Sequence, residues 1–130
     1  MIKITNNFSL EEFTCHCGRC SIPQAVKVNI YQLVKEYLQP LRDEVGVPVI
    51  IMSGYRCKAH NTAVGGVKYS QHLLGCAADI KIEGMTSAEV HAKILELWPR
   101  VPGLGLYDTF IHIDNRNLDS RKGEPARWSG

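Results

Sequence analysis

The sequence predicts an α+β fold: one small, mostly antiparallel sheet with helices packed against one side. Three observations carry this. Apolar residues from Val26 to Leu41 recur at three- and four-residue steps, the period of an amphipathic helix. Two short runs, 49–53 and 76–82, are β-branched or alternating and have the length of strands. Two more runs, 104–107 and 110–114, flank an Asp-Thr dipeptide as the arms of a hairpin would. At 130 residues the chain is read as one domain, with a core that needs neither disulfide nor metal.

Taken in order, residues 1–8 read as an extended entry. Ser9 and Glu12 form an S-x-x-E capping box, so a helical turn starts at Leu10 with Phe8 and Phe13 as apolar anchors. Pro23 suits the first position of the long helix, whose apolar side is Val26, Ile30, Leu33, Val34, Tyr37, Leu38 and Leu41. Pro40 either kinks that helix or opens its last turn; Gly46 and Pro48 stop it. VIIMS, residues 49–53, reads as a buried strand, and His60 to Gly66 as a turn of helix ended by two glycines. In the strand 76–82, Ala78, Ile80 and Ile82 share one face; Ala77, Asp79 and Lys81 share the other. Thr86 and Glu89 cap a helix that runs to about Trp98 and ends at Pro99. The hairpin follows. Residues 115–130 are polar and aperiodic, a loosely packed tail with Trp128 as the side chain able to dock it.

Composition narrows the function. Hydrophobic residues at 45% and charged residues at 22% are ordinary globular values. A net charge of +2 gives no case for nucleic acid, and no apolar run approaches the length of a membrane span. The first residues lack the apolar stretch of a signal peptide, so the protein is expected to be made in the cytoplasm. Five cysteines are many for such a chain. Cys15, Cys17 and Cys20 can combine with Cys57 in a closed four-thiolate zinc site, with His16 as an alternative fourth ligand. A disulfide and free buried thiols are the other readings of these cysteines. Cys76 reads as a small core or loop residue.

The chemistry concentrates in Ser53 to Ile80 and in FIHID, residues 110–114. His72, Asp79 and His112 supply two imidazoles and a carboxylate, enough for a catalytic zinc with water in the fourth position. Strand parity supports the grouping. Asp79 faces away from Ile80 and Ile82, and His112 faces away from Ile111 and Ile113. If the two strands are neighbours, both side chains meet one cleft. Alone, each would read as a surface polar residue.

The order and spacing of SGYR (53–56), N-x-x-V-G-G (61–66), S-x-H-x-x-G-x-A-A-D-I (70–80) and G-x-G-x-Y-x-x-F-I-H-I-D (103–114) closely resemble the zinc D-alanyl-D-alanine carboxypeptidases, the M15 peptidoglycan peptidases. The resemblance runs from about Phe8 to about Arg116. It implies a fold similar to the Hedgehog signalling domain, zinc held by His72, Asp79 and His112, and an Arg56 that contacts substrate near the scissile bond. Arg56 then stabilises an oxyanion or clamps a substrate carboxylate; a structural arginine pairing an acid is the alternative. Ser70 and Tyr107 are candidate substrate contacts, Tyr107 with packing as its other reading.

The chain departs from that group where the general base is expected. Relatives place an acid three residues before the last histidine ligand, or a histidine two before it. Here those positions are Thr109 and Phe110. Asp114 and Asp108 share the His112 face and are the substitutes; Asp114 can instead hold a ligand histidine in its tautomer. The expectation is a monomeric zinc peptidase that cuts a stem or cross-bridge peptide of peptidoglycan, as a carboxypeptidase or an endolysin-like endopeptidase. It would act at the cell wall after release by a phage or prophage lysis route. The rivals are a non-catalytic zinc-bearing module that binds wall peptides and a phage structural component.

Overall fold

The computed structural model describes residues 1–130. Its long helical stretch begins one residue later than expected, because Pro23 is still extended and serves as the cap. It consists of α1 (Gln24–Leu33), a π turn (Val34–Leu38) and α2 (Gln39–Val45). Pro40 explains the π turn. It has no amide hydrogen, so the regular ladder cannot continue through it, and the wider turn sits directly ahead, closed by the Gln39 amide on the Val34 carbonyl. The expected apolar stripe is buried: Val26, Ile30, Leu33, Val34, Leu38 and Leu41. Gly46 ends α2 in the left-handed conformation.

The N-terminal entry is more ordered than a plain extended segment. β1 (Lys3–Thr5) and β2 (Phe8–Ser9) form a small antiparallel pair, and a 3₁₀ turn (Leu10–Phe13) follows. The Glu12 carboxylate reaches back to the Ser9 amide at 2.7 Å. Phe8 and Phe13 are buried, as expected.

Five strands form the main sheet: β3 (Val49–Ser53), β4 (Ala77–Ile82), β5 (Gly103–Leu106), β6 (Ile111–Asp114) and β7 (Ala126–Ser129), in the order β3-β4-β6-β5-β7. All neighbours are antiparallel except β5 and β7, which run parallel. The remaining helices are α3 (Lys58–Ala63) and α4 (Ser87–Leu97), the latter capped by Thr86 and Glu89. Ala78, Ile80, Ile82, Leu104, Ile111 and Ile113 join one apolar cluster with α1, α2 and α4. The opposite face of the central strands carries Asp79, His112 and Asp114.

Two sequence expectations need correction. The strand 49–53 is an edge strand, not a buried one: Ile50 and Met52 are exposed, because β3 has a partner on one side only. Residues 115–130 are not a loose tail. Their last residues pair with β5, with the Ala126 amide on the Pro102 carbonyl at 2.8 Å and the Gly130 amide on the Leu106 carbonyl at 2.9 Å. Four residues of strand carry too little periodicity to be seen, and their partner lies far away in sequence.

Candidate metal centre

Register places the ligand candidates. β4 pairs with β6 so that Asp79 stands directly opposite His112, and Ala77 opposite Asp114. Parity puts both side chains on the face away from the apolar cluster. His72 arrives from a 3₁₀ turn (Gln71–Leu74) just before β4. The Ser70 hydroxyl caps that turn by accepting from the His72 amide at 3.2 Å, and the Arg56 amide donates to the His72 carbonyl at 3.1 Å. His72 Nε2 and His112 Nδ1 each lie 3.2 Å from the same oxygen, Asp79 Oδ1. All three residues are buried.

The far nitrogen of each imidazole decides what the near one offers. His72 Nδ1 is 2.7 Å from the Gly54 carbonyl, which can only accept, so Nδ1 carries the proton and Nε2 presents a lone pair. His112 Nε2 is 2.7 Å from Asp114 Oδ2 and donates to it, so Nδ1 presents a lone pair. Two lone pairs and a carboxylate oxygen therefore converge within 4.8 Å of one another. Three acceptors facing each other need a proton or a metal ion between them, and two imidazoles with a carboxylate are a donor set that fits a metal.

Without a metal, a proton on either facing imidazole nitrogen takes the cation's place: burial alone would raise Asp79, but the neighbouring His112 and His72 outweigh it and hold the carboxylate well below its ordinary range. Burial would lower His112, yet Asp114 and Asp79 push it up. Asp114 is brought down to about 2: burial opposes this, but His112 and Arg116 prevail.

The other candidates fall into place around this centre. Arg56 Nη2 is 3.0 Å from Asp79 Oδ2, the oxygen that does not face the histidines. Its Nε donates to Ser53 Oγ at 3.2 Å and its Nη1 to Asn61 Oδ1 at 3.4 Å. A bulge between Ile51 and Ser53 moves Ser53 opposite Asp79, which brings the hydroxyl to the guanidinium. Asp114 is fully buried and both its oxygens are taken, by His112 and by a forked contact from Arg116 at 2.7 and 2.9 Å. That geometry is the histidine-holding alternative, and it leaves the carboxylate no path to a substrate. Asp108 lies exposed in the β5–β6 turn, outside the cavity. Regular alternation breaks at that turn, so parity does not carry its side chain inward.

A cavity of about 460 Å³ opens over the triad. Its wall includes Arg56, Ser70, Tyr107 and two residues that sequence reasoning did not place there, Arg116 and Trp128. Trp128 comes from β7. Its indole lies 4.9 Å from the His112 ring between centroids, and the Arg116 guanidinium lies 5.1 Å from the centre of the indole. Its Nε1 donates to Tyr107 Oη at 2.8 Å, and Tyr107 stacks on Phe110 at 4.4 Å. The glycines of G-x-G in β5 make this possible. A Cβ at Gly103 would overlap the Asp114 carboxylate, and one at Gly105 would overlap the Trp128 indole. Asp79 is the one carboxylate on the cavity wall.

A His–Asp–His donor set beside a cavity in an α+β fold can hold one metal ion and leave room for a further ligand. The Peptidase M15 family profile matches residues 6–114, and the chain belongs to that family of metallopeptidases. No curated protein matches the chain. The α+β class, the absence of any helix long and apolar enough to cross a membrane, and the peptidase family all agree with the sequence reading.

Proposed function

We propose that the protein is a zinc-dependent peptidase that cuts a peptide bond in peptidoglycan, with His72, Asp79 and His112 as the zinc ligands. The observation that carries the reading is the pair of imidazole lone pairs aimed at Asp79 Oδ1. Zinc, when bound there, supplies a Lewis acid that polarises a carbonyl and acidifies a water molecule. The Gly54 carbonyl and Asp114 hold the two histidines in the required tautomers. Arg56 fixes the second oxygen of Asp79 and lines the cavity, where its free N–H groups face a substrate carbonyl or carboxylate. Ser70 positions His72, and Tyr107 with Trp128 forms an apolar wall for a peptide side. With Asp114 occupied and Asp108 outside, the substrate's own carboxylate is left as the proton acceptor. In this reading residues 1–130 act as one monomeric unit of the Hedgehog/DD-peptidase kind, reaching the wall by a phage or prophage lysis route.

The second reading, a wall-peptide binding module that does not cut, is favoured by one observation: the cavity wall holds no carboxylate besides Asp79. Incubating zinc-loaded protein with defined muropeptides and following products by mass separates the two. Loss of a terminal D-alanine or cleavage of a cross-bridge, abolished in His112→Ala, supports the peptidase. Intact peptides that still bind support the module.

A further inference from the structure

Away from the cavity, a second group of metal-ligating side chains comes together. Cys15, Cys17 and Cys20 lie in residues 14–23, which form neither helix nor strand. Cys57 is the cap of α3, distant in sequence. All four are free thiols, and their sulfur atoms lie within 4.8 Å of one another. A zinc–sulfur bond of about 2.3 Å sets tetrahedral sulfurs about 3.8 Å apart, so a gathering of this size is what one ion would hold. A disulfide would draw two sulfurs together and leave the other two; instead Cys17 and Cys20 stand 3.4 Å apart within a single group.

A second observation points the same way. Backbone amides donate to three of the four sulfurs: Arg19 N to Cys17 at 3.3 Å, Cys57 N to Cys15 at 3.4 Å and His60 N to Cys57 at 3.4 Å. Amide donors aimed at sulfur stabilise thiolates, the form a metal binds. Gly18, at φ 70°, makes the tight turn between Cys17 and Cys20. His16, the alternative fourth ligand by sequence, is exposed and meets His60 edge-on at 6.3 Å; the fourth position belongs to Cys57. Cys15 is buried and the other three, half-buried, pack against the apolar cluster; four thiolates fill a tetrahedron and leave no position for a substrate.

We propose that Cys15, Cys17, Cys20 and Cys57 form a closed four-thiolate site for a structural zinc ion that pins the loop before α1 to the start of α3. Zinc suits four soft thiolates in a tetrahedron and supplies no redox chemistry. Each binding thiol releases its proton to solvent as the zinc–sulfur bond forms. Because Arg56 directly precedes Cys57, the ion also anchors the backbone from which Arg56 reaches Asp79.

The test measures metal in protein that lacks the other site. Unmodified protein should hold two zinc ions per chain, and a His72→Ala/His112→Ala variant should hold one. Exchange of that ion for cobalt(II) should give the intense near-ultraviolet sulfur-to-metal band and the strong visible bands of a tetrahedral thiolate site. Adding Cys17→Ser should remove the ion, while Cys76→Ser should not. The cobalt spectrum is read with all four thiols intact, so it decides even if the serine variant fails to fold. No metal in the double variant, whether its thiols are free or paired, overturns the proposal. So does a spectrum without sulfur bands, or an iron-coloured protein as purified. The readout does not involve hydrolysis, so it stands apart from the peptidase reading.

Discussion

Asp114 meets the metal site only through His112, and the single atom Nε2 carries the whole effect. Asp114→Asn keeps the shape but lets an amide face that nitrogen, which can turn the ring to the tautomer with a proton on Nδ1. Zinc affinity should fall by tenfold or more, and added zinc should restore turnover. Chelator competition measures the first and a zinc titration of activity the second; unchanged affinity would make Asp114 irrelevant to the histidine. Arg56→Ala should cost on the order of a hundredfold in turnover. It should also weaken zinc binding, because Asp79 Oδ2 loses its partner. Arg56→Lys should rescue poorly, since one ammonium cannot reach Ser53, Asn61 and Asp79 together. pH follows from His112. Burial lowers its folded pKa, but Asp114 and Asp79 raise it on balance, so protons compete with metal earlier on acidification than at an ordinary imidazole. Zinc affinity should be flat well above that raised pKa and fall as pH drops through it. In calorimetry, binding well below that value should release about one proton from His112, binding near it about half, and binding well above it almost none.

At the scale of elements, β5 is a spacer whose two glycines are defined by what lies against them. Gly103→Ala should push the Asp114 carboxylate off His112 and destabilise the fold by about 1–3 kcal/mol. It should therefore lower both the melting temperature and zinc affinity. Gly105→Ala should displace Trp128 and reshape the cavity while zinc binding persists. Equal zinc affinity in the two variants and the unmodified protein would show that the sheet absorbs the extra carbon. Such contacts explain what the sequence could and could not tell. Parity placed Asp79 and His112 on one face because a period of two survives in four to six residues. The bulge that brings Ser53 opposite Asp79 leaves no mark in residue type, and neither does the parallel docking of Ala126–Ser129.

For the molecule as a whole, the motifs between Ser53 and Asp114 made the ligand set legible, while the cavity wall was legible only in part. Ser70 and Tyr107 belonged to recognisable motifs; Arg116 and Trp128 sat in a polar stretch with no pattern to announce them. For Asp114, the first choice of general base, parity says which face the side chain takes, not that His112 and Arg116 already occupy both its oxygens. If the substrate carboxylate serves instead, peptides ending in a carboxamide should be cut at least a hundredfold more slowly than the free acids, mainly through kcat. Equal rates on both would require a base from the protein.

Trp128 reaches the cavity from β7, a strand that carries none of the three donor residues, and Arg116 from the loop directly after β6. The segment beyond Arg116 is thus an exchangeable cassette: grafting another sequence there, with the strand pairing and the Arg116–Asp114 contact kept, should alter which peptides are accepted while metal loading stays the same. Selecting such chimeras for new peptides would vary one wall of the cavity while His72, Asp79 and His112, all earlier in the chain, stay in place.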